Sequence, residues 1–400
     1  MRAVVWKGIG EIAVEEVADP KIEEPTDAIV KLTASAICGT DLHFIRGTMP
    51  NMKKGQILGH EGVGVIEELG PGVRNFEVGD RVVIPSTVAC GNCSYCRAGY
   101  YAQCDTVDAE GTAFYGGPAE AGGYAGLQAE KARVPFANVG LVKLPDEITD
   151  DQAILLSDIF PTGYMAAELA EIRPGNTVAV FGCGPVGQFA IASAKLLGAG
   201  RVFAIDQVPS RLAMARAQGA EVIDFGKEDP VQTLKELTDD IGVDRAIDAV
   251  GMDAERPSGG PAAKSLKDQK AALDAEAKEV TPKQNPDGDN WHPGDAPSLA
   301  LQWAVAALAK AGTLSIIGVY GDKNRVFPIG DAMNKNLTIK MGNCNHRKYI
   351  PRLIELVMAR AIDPAQILTQ HEPLGDAISA YKAFDTRQES WIKVELLPTH

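Results

Sequence analysis

The chain has 400 residues, of which 45% are hydrophobic and 23% charged, an ordinary composition for a globular protein. Because this length exceeds what one hydrophobic core usually organises, we expect two domains. Asp and Glu (53) outnumber Lys and Arg (39), and the net charge of −14 argues against a nucleic-acid partner.

The beginning of the chain, MRAVVWKGIGEIAVEEV, has no basic stretch followed by a long apolar run. No apolar run approaches the roughly 18 residues that a membrane-spanning helix needs. We therefore expect a cytoplasmic protein without a membrane partner. In that compartment clustered cysteines more often bind metal than form disulfides.

Residues 1–150 contain short β-like runs separated by glycine-rich turns, such as AIVKLTASAIC, GVGVIEELG and DRVVIP. This pattern predicts a mostly β domain. Two of its turns, CGTDLH (38–43) and GHEGVG (59–64), each carry a possible zinc ligand, Cys38 and His60. Alone, each would more often be a structural thiol or imidazole, and two ligands are too few for a metal.

A cysteine-rich loop follows, with the spacing C-x2-C-x2-C-x7-C. Its four cysteines are Cys90, Cys93, Cys96 and Cys104. The short gaps let neighbouring thiolates converge on one ion, and the longer gap lets the loop close a tetrahedron. Four thiolates leave no open position, so we predict a structural zinc.

The stretch ILLSDIFPTGY (154–164) places Asp158 inside an apolar run. An unpaired buried carboxylate is costly, so such a group is normally paired or bound to metal. A helix cap or a surface acid is the simpler interpretation of the same pattern.

From about residue 160 strand-like and helix-like segments alternate, which predicts a parallel α/β sheet. TVAVFG (177–182), RVFAID, EVIDF, VDRAIDAVG, TLSIIGVYG and NLTIKMGN read as its strands. Residues 253–297 interrupt the series with Pro, Gly, Ala and charge. We expect a polar surface insertion there, with loop-like ends around a central helix. The last sixty residues contain the helix-like YIPRLIELVMARAI and the β-like WIKVELL.

Between the first of these strands and the next helix lies Gly182-x-Gly184-x-x-Gly187, and Asp206 ends the following strand. This context is typical of a dinucleotide-binding turn, in which the glycines permit a tight turn, pyrophosphate approach and close packing. Asp206 would accept hydrogen bonds from ribose hydroxyls and repel a 2′-phosphate, which favours NAD over NADP. Arg211 either covers the adenosine or is an ordinary surface arginine.

Taken together, the motifs give a resemblance to a known family. GHEGVGVIEELGPGV, CGTDLH, the cysteine loop, PTGY and GCGPVG resemble the zinc alcohol dehydrogenases of the medium-chain dehydrogenase/reductase superfamily. The resemblance covers about 1–251 and 298–400, and DIFPTGY is similar to the glutathione-independent formaldehyde dehydrogenase and dismutase branch. It implies a GroES-like catalytic domain (1–162), a Rossmann NAD-binding domain (163–342) and a C-terminal return to the first domain (343–400).

The resemblance also implies roles for individual residues. Asp158 would be the third ligand of a catalytic zinc, with Glu61 as the alternative or an occasional ligand, and Asp41 would orient His60. Thr40 would accept the alcohol proton from the substrate and His43 would pass it to solvent, with the cofactor ribose between them. The cofactor residues would be Gly182, Gly184, Pro185, Val186, Gly187, Asp206 and Arg211, with Lys393 against the pyrophosphate and Thr162, Val250 and Val319 near the nicotinamide. Ser86 would face the substrate.

The expected protein is thus a homo-oligomer, a tetramer rather than a dimer, with two zinc ions per chain. It would transfer a hydride between NAD and a small alcohol or aldehyde, such as formaldehyde hydrate. A formaldehyde dismutase that retains NAD and a polyol or amino-alcohol dehydrogenase are alternatives. A non-catalytic dinucleotide-binding protein is a further alternative, but such relatives typically lack the zinc ligands.

Overall fold

The computed structural model describes residues 1–282 and 288–398. These form two compact units. The first contains residues 1–161 and the chain from 343 onward, together with 288–291. The second contains residues 162–282 and 292–342. The chain first crosses from one unit to the other at 161/162, one residue before the domain boundary expected from the sequence (162/163). It returns to the first unit for the last time at 342/343, as expected.

Both units are built from strands and helices. The strands are β1 Arg2–Gly8, β2 Glu11–Glu16, β3 Ala28–Ile37, β4 Gly62–Leu69, β5 Arg81–Ile84, β6 Lys131–Val134, β7 Val142–Lys143, β8 Thr177–Phe181, β9 Arg201–Asp206, β10 Glu221–Asp224, β11 Val243–Asp248, β12 Leu308–Ile316, β13 Thr338–Met341, β14 Gln370–Pro373 and β15 Val394–Leu397. The α-helices are α1 Gly39–Arg46, α2 Ser94–Arg97, α3 Ala137–Gly140, α4 Asp150–Ser157, α5 Ile159–Leu169, α6 Pro185–Leu196, α7 Pro209–Ala217, α8 Pro230–Glu236, α9 Gly260–Ser265, α10 Lys270–Val280, α11 Leu299–Ala307, α12 Ile329–Asn334, α13 His346–Met358 and α14 Ala377–Asp385.

The first unit is mostly β, as predicted. Its main sheet has the order β14-β15-β3-β4-β5-β7, with β6 also pairing with β3, while β1 and β2 form a separate hairpin. All pairs in the main sheet are antiparallel except β14 with β15. Strand β15 comes from the C-terminal part of the chain, so that segment completes the sheet begun by β3 and β4.

The second unit is the predicted α/β unit with a parallel sheet. Its order is β10-β9-β8-β11-β12-β13, and every pair is parallel. From β8 the chain first builds β9 and β10 on one side and then β11, β12 and β13 on the other. The carboxyl end of β8 is therefore the point where the strand order reverses, which is where open α/β sheets bind ligands.

The insertion between 253 and 297 is more ordered than its composition indicated. It contains α9 and α10, and Leu273 packs into the core of the second unit at 2% exposure. Trp291 is buried in the first unit, where its backbone N–H donates to Asp385 Oδ2 at 2.7 Å. Most residues of α10 are exposed, which agrees with a polar surface insertion around a central helix, and a few apolar side chains anchor it. Residues 283–287 lie outside the described chain.

Candidate metal centres and cofactor site

The possible zinc ligands of the first unit are brought together by three separate segments. Cys38 caps the N-terminus of α1, His60 and Glu61 immediately precede β4, and Asp158 lies between α4 and α5. CGTDLH is therefore not the turn that the sequence suggested. It begins a helix, because Asp41 at the third helical position accepts the N–H of Cys38 at 3.0 Å.

One ligand atom from each of Cys38, His60, Glu61 and Asp158 lies within 4.8 Å of the others, and all four residues are buried. Asp158 Oδ2 is 3.6 Å from Cys38 Sγ and 3.3 Å from His60 Nε2. These contacts are long for hydrogen bonds but suit ligands that share one ion. A thiol, an imidazole and a carboxylate form a donor set that zinc accepts, so the residues fit a catalytic zinc.

The charge on Asp158 is set by two imidazoles. Burial would raise the pKa of its carboxyl group, but hydrogen bonds from His346 and His60 hold that pKa well below its usual range. The carboxylate is therefore ionised and available to a cation. Hydrogen bonds from two imidazoles thus stabilise a carboxylate that the sequence places in an apolar run.

His346 belongs to none of the sequence motifs described above. Its Nε2 lies 2.6 Å from Asp158 Oδ1, and its Nδ1 lies 3.2 Å from Thr87 Oγ1. The residue is 188 positions from Asp158 and stands at the start of α13. No local spacing connects the two, so only the folded chain reveals the contact. A partner of this kind fixes the orientation of a ligating carboxylate.

Lys393 requires a correction. It was expected against the cofactor pyrophosphate, but its Nζ donates to Glu61 Oε1 at 2.5 Å and to Ile37 O at 3.0 Å. The side chain has no exposed surface. The physical reason is that WIKVELL contributes β15 beside β3, which directs this ammonium group to the buried carboxylate.

Asp41 lies next to His60, and its orienting role stays a prediction. Its Oδ1 is 3.3 Å from His60 Nδ1, and its Oδ2 also accepts from Gln128 Nε2 at 3.3 Å. Tyr381 donates its hydroxyl to Gln128 Oε1 at 2.9 Å. Buried polar groups are held in place by such connected contacts.

Thr40 and His43 occupy the first turns of α1. Thr40 Oγ1 lies 3.9 Å from Cys38 Sγ, next to the ligand cluster. His43 is only 3% exposed, and its Nδ1 lies 3.0 Å from Thr48 Oγ1. Its imidazole therefore meets the Thr48 hydroxyl rather than open solvent. Ser86 is buried as well, and its N–H donates to Ser157 O at 3.2 Å.

The four cysteines of the loop converge as predicted from their spacing. The four Sγ atoms all lie within 4.8 Å of one another; they belong to Cys90, Cys93, Cys96 and Cys104. Burial alone would raise the pKa of Cys90, but hydrogen bonds from the side chain of Thr106 and the backbone of Asn92 and Cys93 lower it to about 6. A thiolate is thus available near neutral pH, which is the form that binds zinc.

The glycine-rich turn follows β8 in the second unit. Gly182 has φ of 87°, a conformation that favours glycine, and a Cβ on Gly187 would meet Gly182 O at 1.9 Å. A Cβ on Gly184 would meet nothing closer than Arg211 Nη1 at 3.8 Å. Gly184 is also the N-cap residue of α6. The open side of the turn therefore lies at the N-terminus of this helix, where phosphate can bind.

Asp206 ends β9 beside this turn. Its Oδ2 accepts the N–H of Cys183 at 2.8 Å, and its Oδ1 accepts those of Gln207 and Val208 at 2.7 and 2.9 Å. Arg211 Nη1 is 3.9 Å from Asp206 Oδ2. The guanidinium therefore lies between the turn and the carboxylate, on the side where we expect the adenosine.

The other expected cofactor residues also belong to the second unit. Pro185 and Val186 form the first turn of α6, and Thr162 lies in α5. Val250 and Val319 lie beyond the ends of β11 and β12 rather than within them. Their contact with a nicotinamide stays a prediction.

Comparison with known proteins identifies the family. The alcohol dehydrogenase GroES-like domain matches residues 24–146, and the zinc-binding dehydrogenase domain matches residues 185–257. The zinc-type alcohol dehydrogenase-like protein AdhB of Bacillus subtilis is 39% identical over 404 residues, covering 100% of both chains. The chain belongs to the zinc-dependent alcohol dehydrogenase family.

Two further relatives of this family are informative. The structure of alcohol dehydrogenase TADH from Thermus sp. ATN1 has a TM-score of 0.81 and 34% identity over 99% of both chains. The glutathione-independent formaldehyde dehydrogenase of Pseudomonas aeruginosa is 40% identical, but over 63% of this chain and 66% of its own.

The protein is a zinc- and NAD-dependent oxidoreductase, with one four-cysteine zinc site and one catalytic zinc site. No helix among the described residues is both long and apolar enough to cross a membrane.

Proposed function

We propose that this zinc-dependent alcohol dehydrogenase transfers a hydride between NAD and a small alcohol or aldehyde, formaldehyde hydrate included. Cys38, His60 and Asp158 are the proposed ligands of the catalytic zinc. The observation that carries the proposal is their convergence, since their ligand atoms lie within 4.8 Å of one another in a buried cluster. Glu61 belongs to the same cluster and is the alternative ligand.

When bound, zinc supplies Lewis acidity that lowers the pKa of an alcohol. The residues of this chain have to remove the proton. The Thr40 hydroxyl, beside Cys38, would accept this proton while releasing its own, and His43, further along α1, would receive the released proton. The half-buried hydroxyl of Thr48 lies 3.0 Å from His43 Nδ1 and donates to His43 O at 3.3 Å, so it holds the imidazole that would receive the proton.

A small substrate is favoured by the aromatic side chains around the ligands. The ring of Phe114 stands edge-on to His60 at 6.3 Å and stacks on Phe44 at 6.0 Å. These two rings give His60 an apolar neighbour on one side, which favours a small alcohol or aldehyde over the polyol alternative.

The test is a panel of alcohols and aldehydes read by NADH absorbance, together with a count of tightly held zinc. We expect two zinc ions per chain in the native protein and one in Asp158→Ala, which should lose nearly all turnover while binding NAD normally. Exposed Asp322 offers a control, and Asp322→Ala should retain both ions and activity. Unchanged zinc in Asp158→Ala would transfer the ligand role to Glu61.

A formaldehyde dismutase that retains its NAD is the second candidate. Glu255, at the start of the insertion, accepts a hydrogen bond from Gln207 Nε2 at 3.0 Å, and Gln207 directly follows Asp206. The insertion thus reaches the edge where the adenosine is expected and could slow its release. Exhaustive dialysis decides, because a dismutase would keep NAD and turn over formaldehyde without added cofactor.

We also propose a cytoplasmic homo-oligomer, a tetramer rather than a dimer. None of the seven cysteines, all of which lie in the described part of the chain, forms a disulfide bond, as a reducing compartment favours. Ile329 and Met333 on α12 and Met341 on the edge strand β13 are 73%, 78% and 64% exposed. Apolar residues this exposed are typical of contact surfaces. Light scattering of the purified protein measures the number of chains.

A further inference from the structure

A third group of possible metal ligands lies in the first unit, apart from both zinc sites of the family. It consists of Asp151, His371 and Glu395, which together form the third cluster. We propose that the third cluster binds a divalent transition-metal ion such as Zn²⁺. One ligand atom from each residue lies within 4.8 Å of the other two. The inference does not depend on the proposed substrate.

Secondary structure fixes the three side chains relative to one another. His371 on β14 and Glu395 on β15 are register partners in the parallel pair. Asp151 is the second residue of α4, whose first turn is capped by Thr149. Rigid elements rather than loops therefore carry all three ligands, as a preorganised site requires.

The distances fit a shared ion better than direct hydrogen bonds. His371 Nε2 lies 3.4 Å from Asp151 Oδ2 and 3.5 Å from Glu395 Oε2. Good hydrogen bonds between such groups are about 2.7–3.2 Å long. Ligands held at about 2.0–2.2 Å from one zinc ion are about 3–3.5 Å apart. One imidazole and two carboxylates also suit a metal of borderline softness.

Glu395 supplies the independent indication of a missing partner. Its side chain is 1% exposed, and neither carboxylate oxygen has a hydrogen-bond partner among the described residues. Burial and the adjacent charges of Asp151 and Asp150 raise the pKa of Glu395 to about 8. A bound cation would supply the positive charge that the ionised carboxylate of Glu395 lacks.

An ion can reach the third cluster from solvent. The side chains of His371 and Asp151 are 46% and 52% exposed, whereas Glu395 forms the buried floor. Bound metal would link α4, the helix that ends next to Asp158, to strands β14 and β15 of the sheet, and β15 begins next to Lys393. Occupancy of the third cluster would therefore stiffen two segments that carry the catalytic centre.

The test is equilibrium dialysis of the intact protein against graded free Zn²⁺, with bound metal counted by mass spectrometry. We expect one exchangeable zinc per chain beyond the two tightly held ions. His371→Ala and Glu395→Gln should lose that exchangeable ion and keep the other two. Glu372→Gln, the same charge change one residue from His371, should bind zinc as the native protein does.

Equal zinc binding by native protein and His371→Ala across the whole range would overturn the proposal. His371 is half-exposed, so this variant should fold even if Glu395→Gln does not. Anomalous diffraction from a zinc-soaked crystal gives a second readout, with a peak expected between His371 Nε2 and the two carboxylates. Loss of a tightly held ion, as in Asp158→Ala, concerns the catalytic site and leaves the exchangeable ion in place.

Discussion

Lys393 donates a hydrogen bond of 2.5 Å to Glu61 Oε1, and neither side chain has any exposed surface. Burial raises the pKa of Glu61 to about 7 even though the Lys393 charge lowers it. The other oxygen, Oε2, has no hydrogen-bond partner among the described residues, and Glu61 belongs to the ligand cluster. The lysine therefore holds Glu61 beside the zinc ligands without occupying both of its oxygens.

We expect Lys393→Met to destabilise the protein strongly, by about 3–5 kcal/mol, because it leaves a buried carboxylate without its cation. Adding Glu61→Gln should recover much of that loss, since the double variant buries no unpaired charge. Thermal and denaturant unfolding of the two single variants and the double variant measure the coupling. Additive losses would show that the ion pair contributes little.

His346→Gln should weaken zinc binding at the catalytic site by roughly 10- to 100-fold, because Asp158 loses the partner that orients it. Zinc release to a chelator, followed over time, measures this effect separately from activity. Thr87→Val removes only the contact to His346 Nδ1 and should have a smaller effect in the same direction. Equal zinc retention in native protein and His346→Gln would contradict this role.

Gly184 and Gly187 of the cofactor turn should respond differently to an added methyl group. Gly187→Ala forces Cβ against Gly182 O and should cost about 1–3 kcal/mol of stability as well as NAD affinity. Gly184→Ala has room for its Cβ, so it should keep its melting temperature and lose NAD affinity. Calorimetry and NAD titration separate the two effects.

Gly330→Ala is the matched control for both glycines, because nothing lies within 4 Å of its Cβ position. It should leave NAD affinity unchanged. Normal NAD binding by Gly184→Ala would show that pyrophosphate does not approach this residue.

Stability should depend on pH through Glu395. Its folded pKa of about 8 exceeds the ordinary value of 4.5, so the native state binds the extra proton between these values. The stabilising contribution is complete below pH 4.5 and is lost as pH rises to about 8. With exchangeable metal removed, Glu395→Gln should gain on the order of 2–4 kcal/mol relative to native protein from pH 5 to pH 9.

Melting temperatures across this pH range measure that gain. Glu372→Gln leaves Glu395 in place and is the matched control. Parallel pH profiles for the native protein and Glu395→Gln would show that Glu395 is not the titrating group.

Much of the fold was predictable because its signals are local. Strand β9 has the bounds read from RVFAID, and the spacing from Cys90 to Cys104 indicated a four-thiolate site. Gly182, Gly184 and Gly187 were recognisable because a strand, a turn and a helix follow one another within a few residues. Hydrophobic periodicity and short-range backbone geometry determine such features.

The contacts of the catalytic centre were decided by the tertiary structure. Sequence spacing did not indicate that His346 meets Asp158 across 188 positions, or that Lys393 meets Glu61 across 332. Strand β15 pairs with β3, and α13 packs on α4, which delivers these side chains to the ligands. Long-range pairing of this kind depends on the whole hydrophobic core, so local patterns indicate candidate metal ligands but not the groups that fix their charge and orientation.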